Sequence, residues 1–443
     1  MGGERRPDPA RVWPKVLIVS NNPLSETSNN GKTLASLFQE FPDDRVAQLY
    51  FSPELPSARP GVRYFQVRDS DLLHAPVSRV VVGEPVAVAP IGGRTEEPVV
   101  APAVKNPRIS RLPVLRGHAA RLLREVIWRR RDPSLGRLGQ WLESVAPDLV
   151  FLCAGDSVFA YRVAQQIRRL TGARMAVFLT DDYVLEGRWP WGLGELRRRM
   201  IAAHLRRAVH DSAAFFTISP TMRDTYAAVF GKDSTVVGNV TASLRLDGSS
   251  SRDDGRQLLV YAGSLHSGRA QVLGDLVGAV AAYNKTAGAG RRPAFLEIYT
   301  GTVLEGRDLD RLNRKGSSRV LPLVQPSRYR QVINEADILV HVESFEPESV
   351  AITRLSLSTK IPEYLSVAKP LLAIGPSNIA SMRYLTSIAH TVTDLDDLSH
   401  QVGILLDDSS LQASLGERAG EYFAAHHTPD AVLADLYRAL DVR

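Results

Sequence analysis

Three stretches of this chain carry residue types whose spacing suits chemistry on a phosphorylated or hydroxylated ligand. Tyr261-Ala-Gly-Ser-Leu-His-Ser-Gly-Arg269 runs from an apolar stretch through small residues into a helical pattern. Small residues at such a turn let backbone N–H groups approach a phosphate, and Arg269 adds a cation at the helix start. Taken alone, this segment reads equally well as a plain strand-to-helix turn with a surface arginine. The second stretch is Ser356-Leu-Ser-Thr-Lys-Ile-Pro-Glu-Tyr, continuing to Gly375. Ser358 and Thr359 are N-cap candidates, Lys360 adds positive charge, and Pro362 fits a first helical turn. Glu363 then lies one turn in, where a carboxylate can accept hydrogen bonds from a sugar diol. A capped helix with solvated charges is the competing reading, weakened by two anion-friendly helix starts in one half of the chain. The third is Phe178-Leu-Thr-Asp-Asp-Tyr183, which ends an apolar run with two adjacent carboxylates. Asp182 and Asp181 are candidates for bonding a donor sugar or an acceptor hydroxyl, against the plainer role of a turn or cap.

The elements that must position these residues alternate. Lys15–Asn22, Asp148–Cys153 and Arg174–Leu179 read as buried parallel strands, as do Gln257–Ala262, Phe295–Thr300, Ile338–Val342 and Pro370–Ile374. Helical patterns fall between them, including Lys32–Phe41, Gly117–Arg131, Ser157–Thr171, Arg269–Tyr283 and two closing helices around 395–407 and 410–440. The expected fold is therefore α/β, with two doubly wound domains in tandem. Residues 1–240 form the first, 241–256 a polar linker and 257–420 the second, while residues from about 421 to 443 return to complete the first. Residues 75–115 read as an irregular Pro- and Val-rich insertion.

Composition narrows the function classes. The 443 residues fit two to four domains at roughly 100–200 residues each. Hydrophobic residues make up 44% and charged residues 23%, which excludes a disordered, collagenous or disulfide-scaffold chain. One cysteine, Cys153, allows neither an internal disulfide nor a Cys-based zinc site, and fits a reducing, cytoplasmic setting. The N-terminus lacks the apolar core of a secretory leader, and no window reaches a membrane span. No GxGxxG follows a strand, no GxxxxGK[ST] is present, and no GxSxG elbow occurs. No His cluster marks a metal site, and no metal and no cofactor are expected.

Together AGSLHSGR, ADILVHVESF and STKIPEYLSVAKPLLAIGP resemble the donor domain of GT-B glycosyltransferases, particularly the large retaining family 4. The N-terminal KVLIVSNNPLSETSNNGKTL is similar to the acceptor-domain start of the same proteins. The resemblance implies two Rossmann-like doubly wound domains facing a central cleft, with a nucleotide sugar as substrate. Carried over by residue, the phosphate motif falls on Gly263, Ser264 and Arg269, with Ser264 where the family usually has Arg. Glu363 matches the second Glu of the EX7E motif, the ribose ligand. The first Glu falls on Leu355, which cannot act as a carboxylate, leaving Glu343, Glu346 or Glu348 as candidates for its sugar contact. Lys360 is a candidate replacement for the missing phosphate cation. The glycine-rich acceptor loop matches Asn29, Asn30 and Gly31 loosely.

The resemblance implies transfer of a sugar to a glycan, lipid-linked or small-glycoside acceptor, with retention and without metal. A catalytically silent nucleotide-binding or scaffold subunit is the rival, motivated by Leu355. One charge feature stands apart. Arg116–Arg137 holds seven arginines against Glu125 and Asp132, with Ala119, Leu122, Leu123, Val126 and Ile127 on one stripe. Such a helix can sit peripherally on anionic lipid at the inner face of a membrane. Packing of the stripe into the core with solvated arginines is the favoured expectation. Nucleic acid is disfavoured, because no aromatic-interleaved basic motif accompanies the run.

Overall fold

The computed structural model describes residues 11–26, 29–73, 78–88, 117–185, 192–246, 248, 255–286 and 291–442. The chain divides into two compact units, Met1–Asn239 with Leu433–Arg443, and Val240–Val432. The first unit begins with β1 (Val16–Ser20), α1 (Asn29–Leu37), β2 (Val46–Tyr50), β3 (Arg63–Gln66), α2 (Asp69–Leu73) and β4 (Glu84–Val86). It continues through α3 (His118–Arg129), α4 (Gly136–Val145), β5 (Leu149–Cys153), α5 (Val158–Thr171) and β6 (Arg174–Leu179). Then come α6 (Gly192–Asp211), β7 (Ala214–Thr217), α7 (Pro220–Phe230) and β8 (Thr235–Val236). The strands form one sheet in the order β4-β3-β2-β1-β5-β6-β7-β8, parallel except for the β3–β4 pair.

The second unit holds β9 (Gln257–Ala262), α8 (Arg269–Thr286), β10 (Ala294–Thr300), α9 (Gly306–Leu312), β11 (Ser318–Pro322) and α10 (Pro326–Glu335). It goes on to β12 (Ile338–Val342), α11 (Pro347–Thr353), α12 (Lys360–Leu365), β13 (Leu371–Ile374), α13 (Ala380–Leu385) and β14 (His390–Val392). Helices α14 (Leu398–Asp407), α15 (Ser409–His426) and α16 (Pro429–Ala439) close the chain. Its six strands run β11-β10-β9-β12-β13-β14, all parallel.

Continuous apolar runs dictate this arrangement. VLIVS, LVFLC, QLLVYA and ILVHV are buried along their whole length, as strands covered on both faces must be. Helix boundaries follow local chemistry. The Ser219 hydroxyl accepts from Met222 N at 3.1 Å, Pro220 opens α7, and Gly231 ends it in the left-handed region. In each sheet the strand order reverses once, between β1 and β5 and between β9 and β12. Ligands of open α/β sheets bind at such reversals, outside the carboxyl ends of the strands.

Four local features differ from the sequence reading. Asn29, Asn30 and Gly31 form the first turn of α1 instead of a loop. The described part of 241–256 is no free linker. Leu244 N donates to Ser366 Oγ at 3.1 Å and Leu246 N to Asn334 Oδ1 at 2.9 Å, which pins this segment within the second unit. The expected closing helix breaks at His427, and the chain rejoins the first unit only from Leu433. There Tyr437 meets Trp13 and Phe41 edge-on, each with ring centroids 5.4 Å apart. Most of the expected 75–115 insertion lies outside the described residues.

The fourth difference is the orientation of α3. Part of its expected buried stripe faces solvent, with Leu123 at 53% and Val126 at 58% exposure, while Leu122 and Ile127 are half-buried. The opposite face goes inward. Trp128 stacks on Phe159 with centroids 4.3 Å apart, and the Glu125 carboxylate accepts from Val158 N at 2.9 Å. Arg121 bonds Asp156 at 2.9 Å, and Arg124 donates to Ser157 Oγ at 2.6 Å. Charge partners on α5 and its preceding turn hold this face inward, where Arg121 joins Arg197 (2.9 Å) on the half-buried Asp156. Arg116 lies outside the described residues.

Candidate functional site

The second unit gathers its expected ligand residues at the reversal between β9 and β12. β9 ends at Ala262, and the turn from Gly263 to Gly268 leads into α8 at Arg269. Gly263 N donates to Tyr299 O at 2.9 Å, and the Tyr261 hydroxyl donates to Ser264 O at 2.7 Å. Ser264 Oγ accepts from His266 N at 3.2 Å and Thr302 Oγ1 from Leu265 N at 3.1 Å, so side chains and the neighbouring strand hold this turn. Ser267 and Gly268 both have positive φ, 59° and 76°. At Gly268 a Cβ would stand 2.2 Å from Ser344 Oγ and 2.8 Å from the Glu346 carboxylate, so only glycine lets the loop after β12 approach.

Arg269 points inward. Its Nη2 donates to Glu343 Oε2 at 2.9 Å and its Nε to Val342 O at 3.2 Å, while a quarter of the side chain stays exposed. His341 Nε2 lies 3.2 Å from the other oxygen, Glu343 Oε1. Burial alone would raise the Glu343 pKa, yet His341 and Arg269 outweigh it and hold the carboxyl at about 2. Glu343 was a candidate for bonding the sugar directly. The structure instead makes it the buried anchor of Arg269. Glu346 and Glu348 are exposed, and Glu346 sits over Gly268. Leu355 is buried at 4% exposure, as an apolar residue would be.

A second cluster lies on α12. The Tyr364 hydroxyl accepts from Ala262 N at 3.0 Å and donates to Ala262 O at 3.3 Å, which fixes this helix beside the end of β9. Ser358 Oγ accepts from Lys360 N at 3.3 Å, while Thr359 makes no side-chain cap bond. Lys360 Nζ lies 4.3 Å from the centre of the Tyr329 ring and 3.1 Å from Glu363 Oε2. The same Glu363 oxygen accepts from the Tyr329 hydroxyl at 2.7 Å. Burial and then the neighbouring Tyr364 and Glu363 push the Tyr329 hydroxyl well above its ordinary pKa, so it stays protonated as a donor. Glu363 is buried and Lys360 partly exposed, leaving the ammonium as the face of this cluster. Tyr329, His341 and Gly268 escaped the sequence reading. A histidine within the otherwise apolar β12 was the one available signal.

The first unit holds a separate cavity of about 270 Å³ at its own reversal, where β1, β5 and β6 end. Asn21, Asn22, Asn30, Cys153, Gly155, Asp181 and Tyr183 line it. Gln48 shapes the wall from the neighbouring strand. Its amide donates to Ser20 Oγ at 2.8 Å and its carbonyl accepts from Leu24 N at 2.9 Å, fixing the loop after β1. Gly31 closes the other side, where a Cβ would sit 2.2 Å from Pro23 O. Asn30 reaches the cavity, whereas the side chain of Asn29 lies outside the described residues. Burial, with Asp181 adding to it, pushes the Cys153 thiol up to about 12, so no thiolate forms there at neutral pH.

The two adjacent carboxylates part company. Asp181 faces the cavity and accepts from the Tyr183 hydroxyl at 3.1 Å. Asp182 does not reach it. The residue is fully buried, and its Oδ1 takes Val184 N at 2.9 Å, Leu185 N at 3.0 Å and the Tyr226 hydroxyl at 2.7 Å. Its expected place at a reacting centre is therefore corrected to that of a buried turn anchor. Asp182→Asn keeps an acceptor but loses the charge that strengthens three bonds, an expected cost of about 1–2 kcal/mol. Urea unfolding of the variant measures this, and an unchanged midpoint would refute the anchor role.

A wider concavity of about 730 Å³ lies between α8 and α14, away from the strand ends. Its polar groups pair with one another, as Arg291 and the Tyr283 hydroxyl both meet Asp407, at 2.7 and 2.9 Å. Among the described residues no three His, Cys, Asp or Glu side chains gather as metal ligands, and no helix is long and apolar enough to cross a membrane.

Comparison of this architecture with solved structures decides the fold. Sucrose-phosphate synthase from Thermosynechococcus elongatus superposes with a TM-score of 0.59 at 11% identity, covering 97% of this chain and 99% of that one. The fold is GT-B. An α,α-trehalose-phosphate synthase (UDP-forming) from Burkholderia xenovorans, in complex with glucose-6-phosphate, shares this GT-B architecture at TM-score 0.59 and 12% identity, over 96% and 100% of the two chains. A trehalose-6-phosphate protein from E. coli, bound with UDP-2-fluoro glucose, gives 0.59 at 11% identity over 97% and 100%. No family model and no curated protein matches the sequence.

Proposed function

We propose that this GT-B chain is a glycosyltransferase of the retaining, metal-independent kind. It moves a sugar from a nucleotide-sugar donor to a glycan, lipid-linked or small-glycoside acceptor. The observation that carries this reading is the pair of cations at the carboxyl end of β9, Arg269 anchored on Glu343 and Lys360 set over Tyr329. Departure of a nucleoside diphosphate leaves negative charge on the bridging oxygen, and fixed cations lower that barrier without reorganising. Arg269 uses Nε and Nη2 inward, and a guanidinium has five N–H donors in all, so its remaining edge serves the diphosphate. Glu363 takes the ribose, and Asp181 bonds the acceptor hydroxyl or donor sugar within the first unit. The neighbours lend general support, since one holds UDP-2-fluoro glucose and another glucose-6-phosphate.

Thermal unfolding with a panel of nucleoside diphosphates tests binding. A cognate ligand at 100 times its Kd stabilises by about 2.7 kcal/mol, a shift of several degrees. Turnover is then measured as hydrolysis of the matching nucleotide sugar. Asp181→Asn should cut that rate while diphosphate affinity stays within twofold, about the resolution of such titrations. A diphosphate that binds tightly, with no turnover of any nucleotide sugar, would favour the silent-subunit reading. The buried Leu355 is the observation on that side.

A further inference from the structure

The arginine run of α3 does something the donor site does not use. Arg129 at the end of α3, with Arg130 and Arg131 just past it, meets Arg79 and Arg169 around one cavity of about 330 Å³, with Asp132, Gln166 and Leu170 completing the wall. Arg79 arrives through a parallel bridge between Val80 and Asp132, reinforced by Asp132 N donating to Arg79 O at 2.8 Å. Arg131 is structural, its guanidinium donating to Val80 O at 2.6 Å and Leu72 O at 3.1 Å. Asp132 is engaged by the Ser134 hydroxyl and amide at 2.6 and 3.0 Å, and stands 3.7 Å from Arg79. Those hydrogen bonds hold its carboxyl below the usual range, so it stays ionised. No described carboxylate comes within ion-pair distance of Arg129, Arg130 or Arg169, and all three are exposed. Five arginines against one aspartate is a large local excess of positive charge, a field that draws anions.

We propose that this cavity binds a diphosphate-bearing anion, at a site separate from the one proposed for the donor. Planar guanidinium forks bond phosphate oxygens in pairs, and several of them together suit a multiply charged group better than one carboxylate. The volume is at the small end of ligand pockets, roughly 300–1,000 Å³, and so suits a headgroup-sized ligand. Position separates the site from the cavity at Asp181. α5 leaves the carboxyl end of the sheet at Val158, and Arg169 lies eleven residues further on, roughly 16 Å along the axis. The diphosphate is either free or the headgroup of an amphiphile. Leu170 in the wall and the outward Leu123 and Val126 of α3 supply apolar surface that a lipid-borne group would also use.

Calorimetric titration of the full chain with inorganic pyrophosphate tests the free source. Co-sedimentation with phosphatidylcholine vesicles carrying a polyprenyl diphosphate, compared with vesicles carrying the same negative charge as phosphatidylglycerol, tests the headgroup source. The Arg129→Gln/Arg130→Gln/Arg169→Gln variant should weaken whichever binding is seen by about tenfold or more. Pyrophosphate also fits the proposed donor site, so the component that Lys360→Ala weakens is assigned there, and the component that survives Lys360→Ala but is lost in the triple variant is the one at this cavity. Arg169→Glu alone serves as a second variant, and both should keep the wild-type circular dichroism because the altered side chains are exposed. Pyrophosphate binding with this pattern supports a free ligand. Vesicle binding with this pattern, displaced by pyrophosphate, supports a headgroup. The proposal is overturned if the triple variant binds both within threefold of wild type. It is equally overturned if sulfate at matched ionic strength displaces pyrophosphate as well as pyrophosphate itself does, since the effect would then be charge screening alone.

Discussion

Arg269→Ala is expected to lower the unfolding free energy by about 3 kcal/mol, because it leaves Glu343 buried without its cation. Glu343 is 3% exposed, and its two oxygens face Arg269 and His341 at 2.9 and 3.2 Å. Removing one partner of a buried pair costs roughly 3–5 kcal/mol, and the partial exposure of Arg269 puts this case at the lower end. Replacing both, as Arg269→Met with Glu343→Leu, should recover most of the loss, since no charge then remains buried. The pair also has an acid signature. Because the folded Glu343 pKa is depressed to about 2, its contribution is fully present above the ordinary carboxylate pKa of about 4.5. That contribution is lost as pH falls from there toward 2. The Arg269→Ala variant should therefore lose less stability than wild type over that interval. Urea titrations at neutral pH and in steps down to about pH 3 measure both effects. A neutral-pH loss below about 1 kcal/mol would mean that the pair behaves like a solvated surface bridge.

Changing Glu363 should produce the largest effect on ligand affinity. If its carboxylate takes both ribose hydroxyls, Glu363→Gln removes two charged hydrogen bonds of roughly 1.5–3 kcal/mol each. A loss of about 3 kcal/mol corresponds to a hundredfold in Kd. The geometry supplies a sharper test than affinity alone, because Glu363 also holds Lys360 at 3.1 Å and Tyr329 at 2.7 Å through one oxygen. A ribose ligand weakens nucleoside and nucleoside diphosphate alike. A residue that only positions Lys360 weakens the diphosphate and spares the nucleoside, matching Lys360→Ala. Calorimetric titration of both ligands into Glu363→Gln and Lys360→Ala separates the two roles. A change under threefold for both ligands in Glu363→Gln would remove it from the site.

Much of this molecule is written in the local sequence. Strand cores such as VLIVS, LVFLC and QLLVYA are near-continuous apolar runs without polar alternation, with Ser20 and Gln257 only at their ends, so burial on both faces and a parallel sheet follow directly. The turn from Gly263 to Arg269 and the Ser358–Glu363 segment were legible because strand-to-helix junctions and cap residues depend on neighbours a few positions apart. What each side chain then does depends on partners far along the chain. Asp181 and Asp182 are indistinguishable in sequence, yet the turn after β6 sends one toward the cavity and the other under Val184, Leu185 and Tyr226. Glu343 looked like a ligand until Arg269, 74 positions earlier, was found to occupy it. Helix α3 shows the limit most plainly. Its aliphatic stripe gave the expected buried face, but Asp156, Ser157 and Phe159 offered the opposite face charge partners and a stacking ring. Periodicity counts hydrophobic side chains, whereas tertiary packing also weighs the polar partners and rings that distant segments bring to each face.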